Sequence, residues 1–177
     1  MRFETARSVG RRQHGSSDDP DVLDFSANTN PRTPAGVREV YREAFEDARS
    51  YPSEPPRAFR EAAAAYVETP AGDSENSDSH SRSHSHSLSP EQIVPTPGGL
   101  AAIRLVVDLA VTPGDSVLVP YPSFSEYERE VRLQDGDPVF VPHTEVLDAD
   151  PSDHALAIVC NPNNPTGDAY DDEELQQ

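Results

Sequence analysis

Apolar residues fall in two rhythms along this chain. In the first part Val37, Val40, Tyr41, Ala44, Phe45 and Ala48 recur at steps of three and four, the spacing of one helical face. The segment opens at Pro34, and proline suits a first helical turn. A helix is therefore predicted from Pro34 through PAGVREVYREAFEDARS until the word SYP at 50–52 breaks it. A second is predicted from Pro56 to Val67, with Phe59, Ala62, Ala63 and Tyr66 on one face. Further on the rhythm changes. Short runs that are apolar at every position alternate with helical stretches. Ile93–Val94, SVLVP at 116–120, PVFVP at 138–142 and ALAIVC at 155–160 read as strands. LAAIRLVVDLAV, with Ile103, Val106, Val107 and Ala110 inward, and YPSFSEYEREVRLQ read as the helices between them. Alternation of this kind predicts crossover units on a parallel sheet, buried on both faces beneath helices.

Residues 69–90, TPAGDSENSDSHSRSHSHSLSP, follow neither rhythm. With one Leu and no aromatic residue, the segment has too little apolar area to offset its ordering entropy. It reads as a disordered insertion. His80, His84 and His86 within it could grip a metal, but the spacing fits no closed zinc site and no cysteine is near. The expectation is a solvated loop with no metal.

Charge narrows the function classes. The formal net charge is −18, and every basic residue is arginine, with no lysine in the sequence. Such a surface repels nucleic-acid phosphates and anionic membranes. An acidic, lysine-free surface suits a salt-rich, halophilic cytoplasm, where ions screen its self-repulsion; an acidic protein of ordinary salt is the other reading. The single cysteine, Cys160, allows no intrachain disulfide, and it reads as a small buried residue of an intracellular protein. No run is long enough to span a bilayer, and MRFETARSVGRR lacks the apolar region of a signal peptide.

Three motifs lie where open parallel sheets bind ligands, outside the carboxyl ends of strands. TPGGLAAI (96–103) runs from glycines into a helix, so backbone N–H groups and the helix dipole can meet an anion. It is neither a dinucleotide fingerprint nor a P-loop. YPSFSEY (121–127) sets the ring of Phe124 at the sheet's mouth, either to stack on a flat cofactor or to pack in the core. NPNNPTG (161–167), held by two prolines and a glycine, offers an Asn amide.

In this order and spacing the three motifs resemble those of the fold-type I pyridoxal 5'-phosphate enzymes, the class I/II aminotransferase family. The resemblance runs from about Asp24 to the last residue, the insertion excepted. It implies an α/β fold: part of the family's three-layer large domain, with a mostly parallel sheet. Residues 1–50 would form an N-terminal arm and first helix, and 51–177 an incomplete cofactor-binding large domain. It further implies that the backbone at Gly98, Gly99 and Leu100 holds the cofactor phosphate and that Phe124 stacks on the pyridine ring. Asn164 would hydrogen-bond the ring's phenolic oxygen. Tyr51 would reach the phosphate of a partner subunit in a homodimer. Ala101 departs from the pattern, since the family often has an acidic residue there. The pair HG (14–15) followed by DFSANTNP (24–31) resembles the threonine-phosphate decarboxylase branch of cobalamin biosynthesis, with histidinol-phosphate aminotransferase as its near neighbour. His14, Ser26 and Asn28 would then line the substrate side, for an amino acid or amino-acid phosphate.

Chemistry on this cofactor needs an amine to condense with its aldehyde, and a lysine supplies it. The sequence has none, so no catalytic residue is assigned. The family's lysine lies well after NPTG, and the remainder of the fold is expected beyond Gln177. A non-catalytic remnant that still folds is the second reading. An unrelated binding module with a His-rich metal loop is the third.

Overall fold

The computed structural model describes residues 3–10, 19–23, 32–68, 88–171 and 173–176. The described chain forms two compact units: Met1–Ala27 with Pro97–Gln177, and Asn28–Thr96. Residues 69–87 of the expected insertion, with its three histidines, lie outside the described residues, as do His14, Ser26 and Asn28.

The larger unit is built around one strand. β1 (Ser116–Tyr121) is buried at four consecutive positions, which a strand tolerates only with cover on both faces. It is the middle of a three-stranded parallel sheet of order β2-β1-β3. β2 (Asp137–Pro142) pairs from Ser116↔Asp137 to Tyr121↔Pro142. β3 (Leu156–Ala157) pairs at Val117↔Leu156 and Leu118↔Ala157. Hydrogen bonds from Ala155 N to Ser116 O (2.9 Å) and from Ile158 N to Leu118 O (3.0 Å) flank that short ladder. The strand expected over 155–160 is thus shortened. The chain leaves β1 at Ile158, and the loop geometry of Cys160–Asn164 takes over. Cys160, expected buried, is half-exposed there.

Two helices pack on the sheet. These are α4 (Gly99–Ala110) and α5 (Glu126–Leu133), which follow α1 (Phe3–Ser8), α2 (Val37–Asp47) and α3 (Arg57–Glu68) in the chain. β2 is buried only at Pro138, with Val139 and Phe140 exposed, so the expected cover on both faces is met at β1 alone. Val107, Val111, Val117, Val119 and Val131 make the core, with Ile103, Ala110, Tyr127, Leu156 and Ile158 packed on it. Val106, expected inward, is half-exposed and faces an apolar groove with Ile158 and Val159, because the brief β3 leaves little sheet beneath that side of α4. The helix expected from Tyr121 begins only at Glu126. Tyr121 is still paired with Pro142, and the first helical bonds run from Tyr127 N to Phe124 O and from Arg129 N to Ser125 O.

In the smaller unit α2 and α3 form where the periodicity placed them, but their apolar faces stay open. Val40, Tyr41, Phe45, Phe59 and Tyr66 are exposed, and the buried residue of α3 is Ala64. The expected strand Ile93–Val94 is irregular. A 3-10 turn, Pro90–Gln92, precedes it, so the end of the stretch expected to be disordered is ordered. Ser89 and Gln92 form a reciprocal cap, and Arg60 Nε donates to Pro90 O at 2.6 Å. These bonds supply locally the anchoring that apolar side chains do not. No helix among the described residues is long and apolar enough to cross a membrane.

Candidate functional site at the carboxyl edge of the sheet

The connections bring three loops to one edge. α4 runs into β1 through the turn Thr112–Asp115 and so lies antiparallel to it. The first turn of α4 therefore sits at the carboxyl end of β1. Pro122–Ser125 leaves that same end to start α5. The segment after β3 leaves the carboxyl end of a parallel neighbour.

At the first loop, Gly98 has φ 96° and ψ 164°, in the region that L side chains rarely adopt. The N–H groups of Ala101 and Ala102 bond to Gly98 O at 3.1 and 3.3 Å. The amides of Gly99 and Leu100 precede that ladder, where a helix has no carbonyl of its own to offer. No side chain caps this end, Gly98 and Gly99 are exposed, and a Cβ at either would meet nothing within 4 Å. The turn is exposed and positively polarised, as a site for a phosphate requires.

Phe124, half-buried, meets Tyr127 edge to face at 5.6 Å and 85°. Burial first, and the contact with Cys160 second, push the Tyr127 hydroxyl up to about 12, so it stays a neutral brace behind the ring.

The third loop is held by the residue before the expected one. Asn163 is 4% exposed. Its Nδ2 donates to Pro122 O (3.0 Å) and Thr166 Oγ1 (3.1 Å). Its backbone N–H donates to Asp168 O, and its carbonyl accepts from Gly167 N, both at 2.7 Å. The bond to Pro122 ties the loop after β3 to the loop after β1. Asn163 Oδ1 is buried with no hydrogen-bond partner among the described residues. Asn164, next in the chain, is exposed, so its amide is presented outward.

A second tie comes from His143, just past β2. Its N–H donates to Tyr121 O at 3.0 Å, and its Nε2 lies 2.8 Å from Asp168 Oδ2. The bond with His143, and then that with Thr166, hold the Asp168 carboxyl below the usual range. Tyr170 OH donates to His143 O, and Asn161 bonds both N–H and C=O of Tyr170. All three strand ends are thereby cross-linked. None of Asn163, His143 or Asp168 is expected from the sequence as a site residue; Asp168 is expected to open an acidic helix start, and the structure leaves it in the loop. The doubled Asn between two prolines was the signal for Asn163; no local pattern marks the other two, whose partners are far along the chain.

The structure thus gathers Gly98, Gly99, Leu100, Phe124 and Asn164 at one edge. Tyr51 lies in the other unit and is 100% exposed. Among the described residues no group of three His, Cys, Asp or Glu could hold a metal.

The chain is similar to known proteins in sequence and in fold. The sequence model of the family "Aminotransferase class I and II" matches residues 20–177. Aspartate aminotransferase of Pinus pinaster is 34% identical over 102 residues, covering 51% of this chain and 21% of the relative. Histidinol-phosphate aminotransferase of Methanosarcina barkeri is 25% identical over 169 residues, covering 90% and 41%. Among solved structures, L-threonine-O-3-phosphate decarboxylase from Porphyromonas gingivalis superposes with a TM-score of 0.57 at 25% identity, over 80% of this chain and 40% of that one. The chain spans less than half the length of these relatives. Members of the family are pyridoxal-phosphate-dependent.

Proposed function

The chain belongs to the aminotransferase class I and II family, and from that premise we propose that its three strand-end loops are the phosphate and ring contacts of a pyridoxal phosphate site. The amides of Gly98, Gly99 and Leu100 take the phosphate, Phe124 covers the ring, and Asn164 donates its amide to the phenolic oxygen. The observation that most supports this is the 3.0 Å bond from Asn163 to Pro122 O, which locks the loop of Asn164 to the loop of Phe124. The bound cofactor supplies a sink for the electrons released at the substrate's α-carbon. This chain's part is to hold, orient and screen it from water.

For the substrate, the HG and DFSANTNP words support a threonine-phosphate decarboxylase of cobalamin biosynthesis, with His14, Ser26 and Asn28 on the substrate side. Histidinol-phosphate amino transfer is equally supported by the relatives. In both, the substrate carries a primary amine and a phosphate ester; an amino acid or amino-acid phosphate is the broader class expected for the family. The exposure of Tyr51 supports its reaching a partner's phosphate in a homodimer. The division into an arm (1–50) and part of a large domain (51–177), and a cytoplasmic location, belong to the same reading. The absence of lysine supports the alternative of a non-catalytic remnant, and in either case predicts no turnover by this chain alone.

Equilibrium dialysis tests the site. A few charge-assisted bonds of about 1.5–3 kcal/mol each and a stack of about 0.5–1.5 kcal/mol oppose an association cost of about 4–15 kcal/mol. Pyridoxal phosphate should bind more weakly than about 1 μM, and pyridoxal, lacking the phosphate, more weakly still. Equal affinity for the two would overturn the assignment of the glycine turn. Turnover of threonine phosphate or histidinol phosphate above that of the free cofactor would overturn the inactive reading.

A further inference from the structure

The helices that carry the glycine turn and Phe124 are joined by two polar rungs. Arg104 Nε donates to Glu130 Oε1 at 2.9 Å, and Gln134 Nε2 donates to Asp108 Oδ1 at 2.9 Å. Each rung spans 26 residues of sequence, and from one to the next both helices advance by four, about one turn. α4 and α5 therefore run side by side in the same direction, with Gly98–Leu100 and Phe124 at the same end. The Arg104–Glu130 rung is the nearer to that end.

That rung is built unlike a surface pair. Glu130 is 3% exposed and Glu126 is 2% exposed. Glu130 Oε1 also accepts from Arg129 at 2.9 Å, and Arg129 reaches Glu126 at 3.4 Å. Arg129 Nε is buried without a partner among the described residues. Burying charges is costly, and an apolar seam would hold two helices as well or better. A shared carboxylate oxygen gives something an apolar seam does not: one preferred register between the helices. Register matters here because a ligand held at both ends loses affinity when its two contacts shift by a fraction of an ångström.

We propose that Glu130 is a positioning residue for the cofactor site, setting the height of α4 along α5 and so the span between the phosphate turn and the Phe124 ring. This rests on the cofactor reading above. Glu130 touches neither turn nor ring; it acts through Arg104 and the body of α4.

The test compares Glu130→Gln with Gln134→Ala, which breaks the far rung, in the full chain. Probes are pyridoxal phosphate, which needs both contacts, and inorganic phosphate, which needs the turn alone. Glu130→Gln should weaken pyridoxal phosphate about ten-fold and leave phosphate within about two-fold, while Gln134→Ala changes neither. Amide exchange should quicken at the first turn of α4 in Glu130→Gln alone. If Glu130→Gln fails to fold, Arg104→Gln breaks the same rung from its exposed side and should give the same selective loss. Equal loss of both probes, or equal effects of the two rungs, would reduce Glu130 to a structural residue and overturn the proposal. If the unsubstituted chain takes up neither probe at millimolar concentration, the cofactor reading itself fails and the proposal with it. Binding that is unchanged in Glu130→Gln sinks the proposal alone.

Discussion

Asn163 and Asn164 are neighbours with opposite surroundings. Asn163 spends its amide on Pro122 O and Thr166 Oγ1, and Asn164 is left outside. Replacing Asn163 with Ala removes two donor bonds and leaves a carbonyl unpaired, so Asn163→Ala should cost about 1–3 kcal/mol in denaturant unfolding. An unchanged midpoint would show that the loop is held without it. Asp168 gives a pH prediction. Its folded value is lowered, first by the bond with His143 and then by that with Thr166, from an ordinary value of about 3.9. A depressed carboxyl contributes in full above the unfolded value and loses its contribution as pH falls through the folded one. The clasp between β2 and the NPNNPTG loop should therefore be intact above about pH 4 and open only below it. Carboxyl resonances followed by NMR should titrate with a midpoint below that of free Asp, and Asp168→Asn should abolish the step. A midpoint at or above the free value would contradict the clasp.

At the scale of elements, the turn that returns α5 to the sheet is the tightest point. A Cβ at Gly136 would lie 2.8 Å from Val111 Cγ1, 3.1 Å from Val131 Cγ1 and 3.2 Å from Val131 O. Val111 and Val131 are both core residues, and the backbone oxygen cannot swing aside. Gly136→Ala should therefore overpack the core and cost about 1–3 kcal/mol, readable as a lowered Tm. Gly114→Ala would fail differently: its φ of 92° strains any side chain, while the space around it is open. A Gly136→Ala variant as stable as the parent would mean that α5 can slide on the sheet, which would also weaken the case for a fixed register with α4.

For the whole molecule, charge and uncovered apolar surface dominate. With a net charge of −18, self-repulsion opposes the compact state. Raising salt from 0.1 to 1 M shortens the screening length from about 10 to about 3 Å, so Tm should climb over that range, and sodium and potassium chloride should act alike. A Tm that falls with salt would argue that the acidic surface is held by specific ion pairs instead. The exposed apolar faces of α2 and α3 should also make the chain self-associate as concentration rises.

Local rules determined much of this protein. Helical spacing placed α2, α3 and α4, because a stripe at three- and four-residue steps fits no other element. Unbroken apolar runs placed β1 and β2, because β-rich runs of that length bounded by turn residues favour strands; only β1 is covered, and β2 is buried at Pro138 alone. The glycine turn and NPNNPTG were legible because backbone freedom and proline restriction are written in the residues themselves. Tertiary structure decided what depended on partners distant in sequence. The length of β3 was set by how long its neighbour pairs with it, and the start of α5 by the last rung of β1 with β2. Which Asn is a tether and which is left exposed followed from the position of Pro122 O, 41 residues away. The burial of Glu126 and Glu130 among charges was equally hidden, since spacing identifies a helix but not the helix beside it.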